Sequence, residues 1–392
     1  PGNNLFGESI VAVDLKTGQR KWHYQLVHHP LWDMDISSAP ILADINVNGR
    51  AIKAVAVPSK QGFLYVFDRV NGQPVWPIEE KPVEKGNVPG EWYSPTQPFP
   101  TKPPAYSRNG VTPDVLIDFT PALHDQALTI ASKYKLGPVF TPPVESKLDG
   151  PLATLTLGTA SGGTNWPGAS YDPETHTVYA FACNSCPEPI GLVPAPKEVS
   201  DMKYVLGMAG QRFEIARGPG ENAGADSPPP AKAPAPPAGG GAAFYGLGVQ
   251  GLPLFKPPYA TISAINLDKG EIVWQVAHGD TPDAIRNNPA LKGLNIGKTG
   301  QQTYNIGTLV TKTLVIAGDG QVTTTPEHPR GAMLRAYDKA TGKQVGAVFM
   351  AAPQSGSPMT YMLNGKQYIL LAISGGPYSG EYVAYTLPSE DR

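Results

Sequence analysis

The sequence predicts an all-β fold of the β-propeller type, because a hairpin motif recurs along the chain and the composition favours turns over long helices. Gly and Pro number 43 each in 392 residues, far above the usual share of Pro. Because one hairpin cannot bury its own apolar face, hairpins that recur with variable spacing predict blades arranged around a ring. The regular copies cover residues 12–22, 66–76, 264–274 and 336–346, with a looser copy at 170–180.

Each regular copy combines a strand, a braced turn and a second strand. The Asp or Asn that ends the first strand can accept hydrogen bonds from turn amides. Trp22, Trp76 and Trp274 close three of the copies, and we predict that they hold neighbouring blades together. The last copy carries Gly346 instead, so one blade is expected to lack this contact. Every turn also contains a glycine at which a positive φ is expected: Gly18, Gly72, Gly270 and Gly342.

Two segments depart from the hairpin pattern. Residues 120–135 predict one helix, with Thr120 as the N-cap and Pro121 at the first helical position. Residues 218–243 are a low-complexity run of Pro, Gly and Ala, which predicts a solvated, disordered insertion. Because the hairpins continue beyond this insertion, residues 1–392 are expected to form one propeller domain.

The charge balance argues against a nucleic-acid partner. Charged residues make up only 16% of the chain and the formal net charge is −2. No apolar run approaches the roughly 20 residues of a membrane span, and no signal peptide is visible. The chain opens at Pro1 directly into a strand pattern, so we expect a fragment or a processed chain.

The chain has two cysteines, Cys183 and Cys186, in a C-x-x-C spacing. No second pair or nearby His completes a zinc site, and Pro187 stands where haem attachment requires His. The absence of a βαβ pattern argues against a thioredoxin-type role. Two alternatives stay open, namely a local disulfide in an oxidising compartment or two free thiols.

Three short stretches carry residues suited to chemistry. Asp33 and Asp35 lie in a loop-like segment rich in His, and either carboxylate could take the proton of a substrate hydroxyl. Lys60 ends an apolar strand, and strand ends line the ligand face of a propeller. Asn165 and Trp166 follow a run of small residues that would admit a ligand close to the backbone. The structural alternatives are a turn brace for the Asp residues and a solvated strand end for Lys60.

Together these stretches resemble the PQQ-dependent (quinoprotein) dehydrogenases, especially the glucose/quinate-type branch and its relatives; PQQ is pyrroloquinoline quinone. The similarity covers the chain outside residues 218–243. Recurring hairpins alone indicate only a propeller, whereas their combination with W-D-M-D and S-K-Q-G is specific to the family. The matching segments are HHPLWDMD, PSKQGFLYVFDR, GGTNWPG, AHGDTPD, LVTKTLVIAGDG, LRAYDKATGK and SGSPMTYMLNGKQYILLAISGG.

The resemblance implies an eight-bladed propeller that holds PQQ and Ca²⁺ on its axis. Asp33 matches the family's catalytic base, and Lys60 matches the cation beside the quinone carbonyls. Asn165 and Trp166 match a cofactor-facing Asn-Trp pair. The implied activity is oxidation of an alcohol, polyol or sugar hydroxyl by hydride transfer to the quinone, with ubiquinone or a cytochrome as the electron acceptor.

Counting one blade for each copy of the hairpin gives about five blades, an incomplete ring beside the family's eight. Missing N-terminal blades would carry the metal ligands, which are therefore unknown here, and part of the pocket. The fragment alone is thus expected to be inactive. The resemblance also implies a periplasmic location, with membrane association through the missing part. Pro377 follows Gly375 and Gly376 where glucose dehydrogenases carry His, which argues against glucose as the substrate.

The competing hypothesis is a non-catalytic propeller that serves as a scaffold or assembly protein. Such proteins contain the same hairpins. The two hypotheses differ in geometry, because a scaffold gives no reason for Asp33 and Lys60 to meet, whereas an enzyme requires both side chains to face one cavity.

Overall fold

The computed structural model describes residues 1–198, 200–211, 247–375 and 378–387, and β-strands are the commonest element in them. The helices are α1 (Pro121–Ala131) and α2 (Asp283–Arg286), with 3₁₀ turns at Pro113–Val115 and Pro289–Leu291. The strands, in chain order, are β1 (Ser9–Val13), β2 (Arg20–Gln25), β3 (Ile41–Val47), β4 (Arg50–Pro58), β5 (Leu64–Asp68), β6 (Ile78–Pro82), β7 (Thr96–Pro100), β8 (Val144–Glu145), β9 (Thr154–Thr156), β10 (Ala169–Asp172), β11 (Thr177–Cys183), β12 (Glu188–Pro194), β13 (Tyr204–Leu206), β14 (Gly248–Val249), β15 (Leu252–Pro253), β16 (Ala260–Asn266), β17 (Glu271–Ala277), β18 (Leu309–Val310), β19 (Leu314–Gly318), β20 (Thr323–Thr325), β21 (His328–Asp338), β22 (Gln344–Met350), β23 (Met359–Leu363), β24 (Lys366–Gly375) and β25 (Tyr378–Thr386).

The all-β prediction is confirmed, and five antiparallel sheets follow one another in the manner of propeller blades. They consist of β1–β2, β3–β4–β5, β10–β11–β16–β17, β18–β19–β21 with β20 and β22 both paired to β21, and β23–β24–β25. Within the described ranges no strand pairing joins the first of these sheets to the last. The predicted insertion at residues 218–243 lies outside the described residues. Neither helix of the described chain has the length and apolar character needed to span a membrane.

Counting one blade for each copy of the hairpin was wrong for the looser copy at residues 170–180. Its strands β10 and β11 belong to the same sheet as β16 and β17, which form the copy at residues 264–274. Thr177 pairs with Asn266 and Cys183 with Ala260, so the two copies supply the inner and outer halves of one blade. The fifth sheet is β23–β24–β25 at the end of the described chain, and none of the recognised copies lies in it.

The turns of the copies have the predicted construction. Asp14 Oδ1 accepts a hydrogen bond from Thr17 N over 3.0 Å, and Asp338 Oδ1 accepts one from Thr341 N over 2.9 Å. These contacts satisfy turn amides that the strands leave unpaired. The turn glycines have φ between +64° and +76°, a region that other residues enter only with strain: Gly18, Gly72, Gly270 and Gly342.

The tryptophans dock onto the turn of the following copy, which explains how the blades are held in order. Trp22 Nε1 donates to Arg69 O over 3.0 Å, and its ring covers Gly72, where an added Cβ would lie 2.6 Å from the ring. The rings of Trp76 and Trp274 cover Gly270 and Gly342 in the same way. Gly72, Gly270 and Gly342 are therefore required both for their φ and for the indole that covers each of them, whereas Gly18 is required for its φ alone.

Replacing Trp274 by Ala should lower the free energy of unfolding by about 2–3 kcal/mol, below the range for a fully buried Trp because this ring is half-buried. The reason is loss of the contact that joins β17 to the turn of the next blade. Urea unfolding of the natural full-length protein measures the effect. Val273, which is 57% exposed, supplies the control Val273→Ala. A Trp274→Ala change no larger than that of the control would contradict the docking role.

A separate hydrophobic core contains α1 and residues of the short strands β9, β14 and β15. The helix begins as predicted, because Thr120 Oγ1 accepts a hydrogen bond from Leu123 N over 3.2 Å. It ends at Ala131 rather than at residue 135, since the backbone of Lys133 and Lys135 instead pairs with residues 152–155. This core comprises Val111, Leu116, Ile117, Leu123, Ala127, Ala131, Leu155, Leu157, Leu247, Val249, Leu252, Leu254, Phe255, Tyr259, Ile285 and Leu291.

A buried ion pair fixes β21 to the end of β19. Arg335 Nε and Nη2 donate to the two carboxylate oxygens of Asp319 over 2.6 and 2.8 Å, and Asp280 lies 2.6 Å from Nη2. The Asp319 side chain is fully buried and that of Arg335 is 4% exposed. Burial raises the pKa of Asp319, although the guanidinium opposes the rise. Each buried charge is therefore stabilised mainly by the other.

Two neighbouring sheets carry the predicted site residues at one end of their strands, which we call the common edge. Asp33 precedes β3 and Lys60 follows the antiparallel β4, so both lie at the same end of this sheet. Asn165 precedes β10, and Cys183 ends the antiparallel β11. Ser38 Oγ donates to Asn165 O over 3.0 Å and joins the two edges. Strand direction alone thus gathers distant parts of the sequence at one place.

Candidate catalytic and cofactor site

Asp33, Asp35 and Lys60 form an ion cluster at this edge. Lys60 Nζ lies 3.5 Å from Asp33 Oδ1, donates to Asp33 O over 3.2 Å, and makes a short ion pair with Asp35 Oδ1. The Lys60 side chain is only 4% exposed, whereas the side chains of Asp33 and Asp35 are 63% and 47% exposed. A buried cation is therefore paired with carboxylates that reach solvent.

The backbone around Asp33 is shaped to present its side chain outward. Asp33 has φ +58°, a left-handed conformation that costs a non-glycine residue about 1–2 kcal/mol. The residues on either side anchor the turn, because Trp32 and Met34 are buried in the core. Trp32 Nε1 donates to Thr141 O over 2.7 Å, and its ring packs edge-on against Phe140. The W-D-M pattern thus alternates anchor, exposed carboxylate and anchor.

The two aspartates differ in basicity. Partial burial and the hydrogen bond with Asp35 raise the pKa of Asp33 above its usual value, and Lys60 limits the rise. Burial also raises the pKa of Asp35, but its hydrogen bonds with Asp33 and Lys60 outweigh burial and leave that pKa below its usual value. Asp35 is accordingly the counterion of Lys60, and Asp33 is the more basic and more exposed carboxylate, as a general base requires.

Glu8 is a third carboxyl group at the site, and no sequence pattern pointed to it. It immediately precedes β1, has φ +44°, and its Oε2 atom is buried without a hydrogen-bond partner in the described chain. Burial, with the Asp35 charge nearby, raises the pKa of Glu8 to about 8, and Lys60 opposes the rise. At neutral pH Glu8 is therefore mainly protonated, which spares the cluster a further negative charge.

The raised pKa of Glu8 predicts a decline in stability with rising pH. The folded state holds a proton that the unfolded state releases near its ordinary value of 4.5, so stability falls as pH rises between 4.5 and about 8. Glu8→Gln keeps the neutral shape and should remove this part of the decline, worth about 1.4 kcal/mol per unit of pKa difference. Urea unfolding at pH 5, 7 and 9 measures it. The exposed Glu174 provides the control Glu174→Gln, and parallel profiles for Glu8→Gln and wild type would contradict the prediction.

The small residues at 158–163 approach the backbone of Lys60. A Cβ at Gly163 would lie 2.0 Å from Lys60 O, and one at Gly158 would lie 2.9 Å from the same atom. Thr164 N also donates to Ser59 O over 3.2 Å. The glycines therefore serve a close contact between two chain segments, whereas the sequence suggested that they admit a ligand. This contact fixes where Lys60 stands.

Asn165 and Trp166 lie beside the ion cluster and differ in what they can offer a ligand. Asn165 Oδ1 accepts hydrogen bonds from Ser37 Oγ over 3.0 Å and Trp166 N over 2.9 Å, and Nδ2 donates to Ala160 O over 2.9 Å. The Asn165 amide is thus engaged within the protein. Trp166 is 75% exposed, so its indole face is free to meet a ligand. A cofactor-binding role for both remains a prediction.

Cys183 and Cys186 are joined by a disulfide, so the first of the two alternatives for these residues describes the structure. Both are almost completely buried. Cys183 N donates to Gly163 O over 3.0 Å, which places the disulfide loop directly behind the segment that contacts Lys60.

Comparison with known proteins identifies the family of this chain. A sequence profile described as the PQQ glucose/ethanol/alcohol dehydrogenase β-propeller domain matches residues 1–369, nearly the whole chain. The chain belongs to this family. The match confirms the predicted propeller of the quinoprotein type, and the W-D-M-D and S-K-Q-G segments lie within it.

The curated relatives of this chain have names that refer to several different substrates. The quinoprotein glucose dehydrogenase of Escherichia coli (strain K12) is 30% identical over 100% of this chain and 45% of its own length. A probable quinate dehydrogenase (quinone) of Xanthomonas campestris pv. juglandis is 32% identical over 98% of this chain and 45% of its own length. The glycerol dehydrogenase large subunit of Gluconobacter oxydans (strain 621H) is 30% identical over 99% and 50%. The chain thus spans about half the length of these relatives.

Among solved structures, quinohemoprotein alcohol dehydrogenase from Comamonas testosteroni aligns with a TM-score of 0.48 and 21% sequence identity. The alignment covers 95% of this chain and 39% of that one.

Proposed function

We propose that this chain forms the base-bearing part of a PQQ-dependent oxidoreductase that oxidises an alcohol, polyol or sugar hydroxyl. The observation that carries the proposal is the solvent-reaching carboxylate of Asp33, held 3.5 Å from the buried ammonium of Lys60. A scaffold gives no reason for this pairing. Family membership and the names of the curated relatives support the same class of reaction.

The residues present fit a quinone that bears carboxylates. Lys60 is a buried cation whose partners are Asp33 and Asp35, and its donors suit an anionic or carbonyl oxygen. Gln61 directly follows Lys60, and its buried Oε1 atom has no hydrogen-bond partner in the described chain; the same holds for Tyr65 Oη, five residues beyond Lys60. Buried polar atoms are normally satisfied, so these two are consistent with a polar molecule that completes the site.

We assign the side chains the following parts. Lys60 would hold quinone oxygens, and Trp166 would offer its ring face to the cofactor. Asn165 Oδ1 would fix the backbone of Trp166 through the hydrogen bond that it accepts from Trp166 N. When bound, PQQ supplies a two-electron acceptor for hydride from the substrate carbon. Asp33 takes the hydroxyl proton, and Asp35 holds Lys60 in place through their ion pair.

Calcium stays an implication of the family resemblance. In the part of the chain that the structure describes, no three His, Cys, Asp or Glu side chains are grouped to hold a metal ion.

The remaining parts of the proposal concern surroundings and partners. A periplasmic location is supported by the Cys183–Cys186 disulfide, because such bonds persist in oxidising compartments. The electron acceptor is proposed to be a quinone or a cytochrome, as the names of two relatives state for those proteins. Membrane association is a further proposal, drawn from the family branch. Pro377, which argued against glucose, lies outside the described residues.

Reconstitution tests the proposal directly. The natural full-length protein, loaded with PQQ and Ca²⁺, should reduce an artificial electron-accepting dye with at least one member of a panel of alcohols, polyols, sugars and cyclic acids such as quinate. The protein without PQQ is the control and should be inactive. A preparation that neither binds PQQ nor oxidises any member of the panel would remove the proposal and favour the scaffold alternative.

A further inference from the structure

Glu188 is a buried carboxylate that the proposed mechanism does not use. It is the first residue of β12, two positions after the disulfide, and is only 6% exposed. Its backbone O accepts a hydrogen bond from Thr156 Oγ1 over 2.7 Å, which fixes β12 to β9. No lysine, arginine or histidine forms an ion pair with it in the described ranges. A buried carboxylate without a cation must be stabilised by hydrogen-bond donors.

Those donors all come from one short segment. Glu188 Oε1 accepts hydrogen bonds from Ser161 N over 3.0 Å and from Ser161 Oγ over 2.7 Å. Oε2 accepts one from Ala160 N over 3.1 Å and a short one from Thr159 Oγ1. Both oxygens are filled by donors, and two of these are backbone amides that can only donate. The arrangement therefore fits a carboxylate and does not fit an amide.

The segment that Glu188 holds is the one that contacts the site. Residues 158–163 touch the backbone of Lys60 through Gly158 and Gly163. Ala160, whose N–H binds Glu188, accepts the Asn165 side-chain amide at its carbonyl oxygen over 2.9 Å. Asn165 then binds Ser37, two residues beyond Asp35. Two chains of direct contacts thus lead from Glu188, one to Lys60 and the other to the loop that carries Asp33.

The segment has little means of ordering itself. Three of its residues are glycines, which lose the most conformational entropy on folding, and the others are small. Apart from the contacts with Lys60 and Cys183, the carboxylate of Glu188 is the group that several of its polar atoms share. Removing that carboxylate should therefore loosen the segment more than the sheets around it.

We propose that Glu188 is a positioning residue that clamps residues 159–161 and thereby fixes Lys60 on the cofactor side of the site. The clamp as a feature of the fold stands on the contacts above, and its effect on cofactor binding rests on the proposed function. Because Glu188 does not touch the reacting groups, its loss should affect cofactor affinity before it affects the chemical step.

The test is Glu188→Gln in the natural full-length protein, first without cofactor. The amide oxygen of Gln can accept from only one of the two backbone N–H donors, and its NH2 group would face the other. Hydrogen exchange of peptides covering residues 158–165 should therefore accelerate about tenfold or more, as expected for loss of a buried hydrogen bond to a charged group. Peptides of β21 should exchange as in wild type. Unchanged exchange at 158–165, or an equal increase in every blade, would overturn the clamp.

The second measurement is PQQ titration followed by tryptophan fluorescence. Glu188→Gln should raise the dissociation constant about tenfold or more, with a smaller change in kcat at saturating PQQ. The exposed Glu174 supplies the control Glu174→Gln, which should match wild type. If Glu188→Gln does not fold, Ser161→Ala and Thr159→Val remove single donors, and each must accelerate exchange at 158–165 for the clamp to stand. If exchange at 158–165 rises in Glu188→Gln but wild type does not bind PQQ, the clamp is supported and the proposed function is refuted. If wild type and Glu188→Gln bind PQQ with equal affinity, the link between the clamp and the cofactor is refuted.

Discussion

In the natural full-length protein loaded with PQQ, Asp33→Asn is expected to lower kcat by about a hundredfold to ten-thousandfold, the usual contribution of a general base. Asn has nearly the same shape and cannot accept a proton at neutral pH. The substitution keeps two contacts that position Lys60. The 3.2 Å hydrogen bond from Lys60 Nζ goes to the backbone carbonyl of Asp33, and the ion pair with Asp35 is unchanged. PQQ affinity should therefore change little.

The pH dependence provides a second check on the same residue. Asp33 acts only when ionised, and partial burial raises its pKa above the ordinary value near 3.8. The rate of wild type should consequently fall as pH drops through an acidic pKa higher than that of a free Asp, and this limb should be absent in Asp33→Asn. Asp44, which is 78% exposed and forms an ion pair with Arg69, supplies the control Asp44→Asn. A kcat within threefold of wild type would exclude Asp33 as the base.

The hairpin repeats were readable in the sequence because each part of the motif performs a local task. Asp14 braces its own turn, Gly18 supplies a positive φ, and Trp22 covers the next turn. The assignment of copies to blades was not readable. Strands β11 and β16 pair across a separation of more than 75 residues, and hydrophobic alternation does not record which strand a given strand will join.

Some residues of the site could likewise be predicted from the sequence, and others could not. Asp33, Lys60 and Asn165 stand in motifs with a spacing that is visible in the sequence, and the structure brings them to one edge. Glu8 and Glu188 carry no such signal, because each lies at the start of an ordinary strand and becomes important only through neighbours from distant segments. Burial of a carboxyl group is a property of the fold, so a single sequence could not single out these two glutamates.

Substitution by Met should affect the stability of the protein very differently at two buried cations, Arg335 and Lys60. Arg335→Met should lower the free energy of unfolding by about 3–5 kcal/mol, because it leaves the fully buried Asp319 without its cation. Asp280, 25% exposed, can be partly rehydrated and should add little to this cost. Urea unfolding measures the change, and the double variant Arg335→Met with Asp319→Leu should recover much of it, since no charge is then stranded.

Lys60→Met should change the free energy of unfolding by less than about 1 kcal/mol. The carboxylates it leaves behind are 63% and 47% exposed, so water can solvate them, and the desolvation penalty of the ammonium disappears. PQQ binding and turnover should nevertheless be lost. A buried cation whose partners face solvent contributes little to the stability of the fold, whereas binding of a ligand oxygen would account for its burial. If Lys60→Met unfolded the protein as Arg335→Met does, Lys60 would be a structural ion-pair residue and the case for a cofactor at this edge would weaken accordingly.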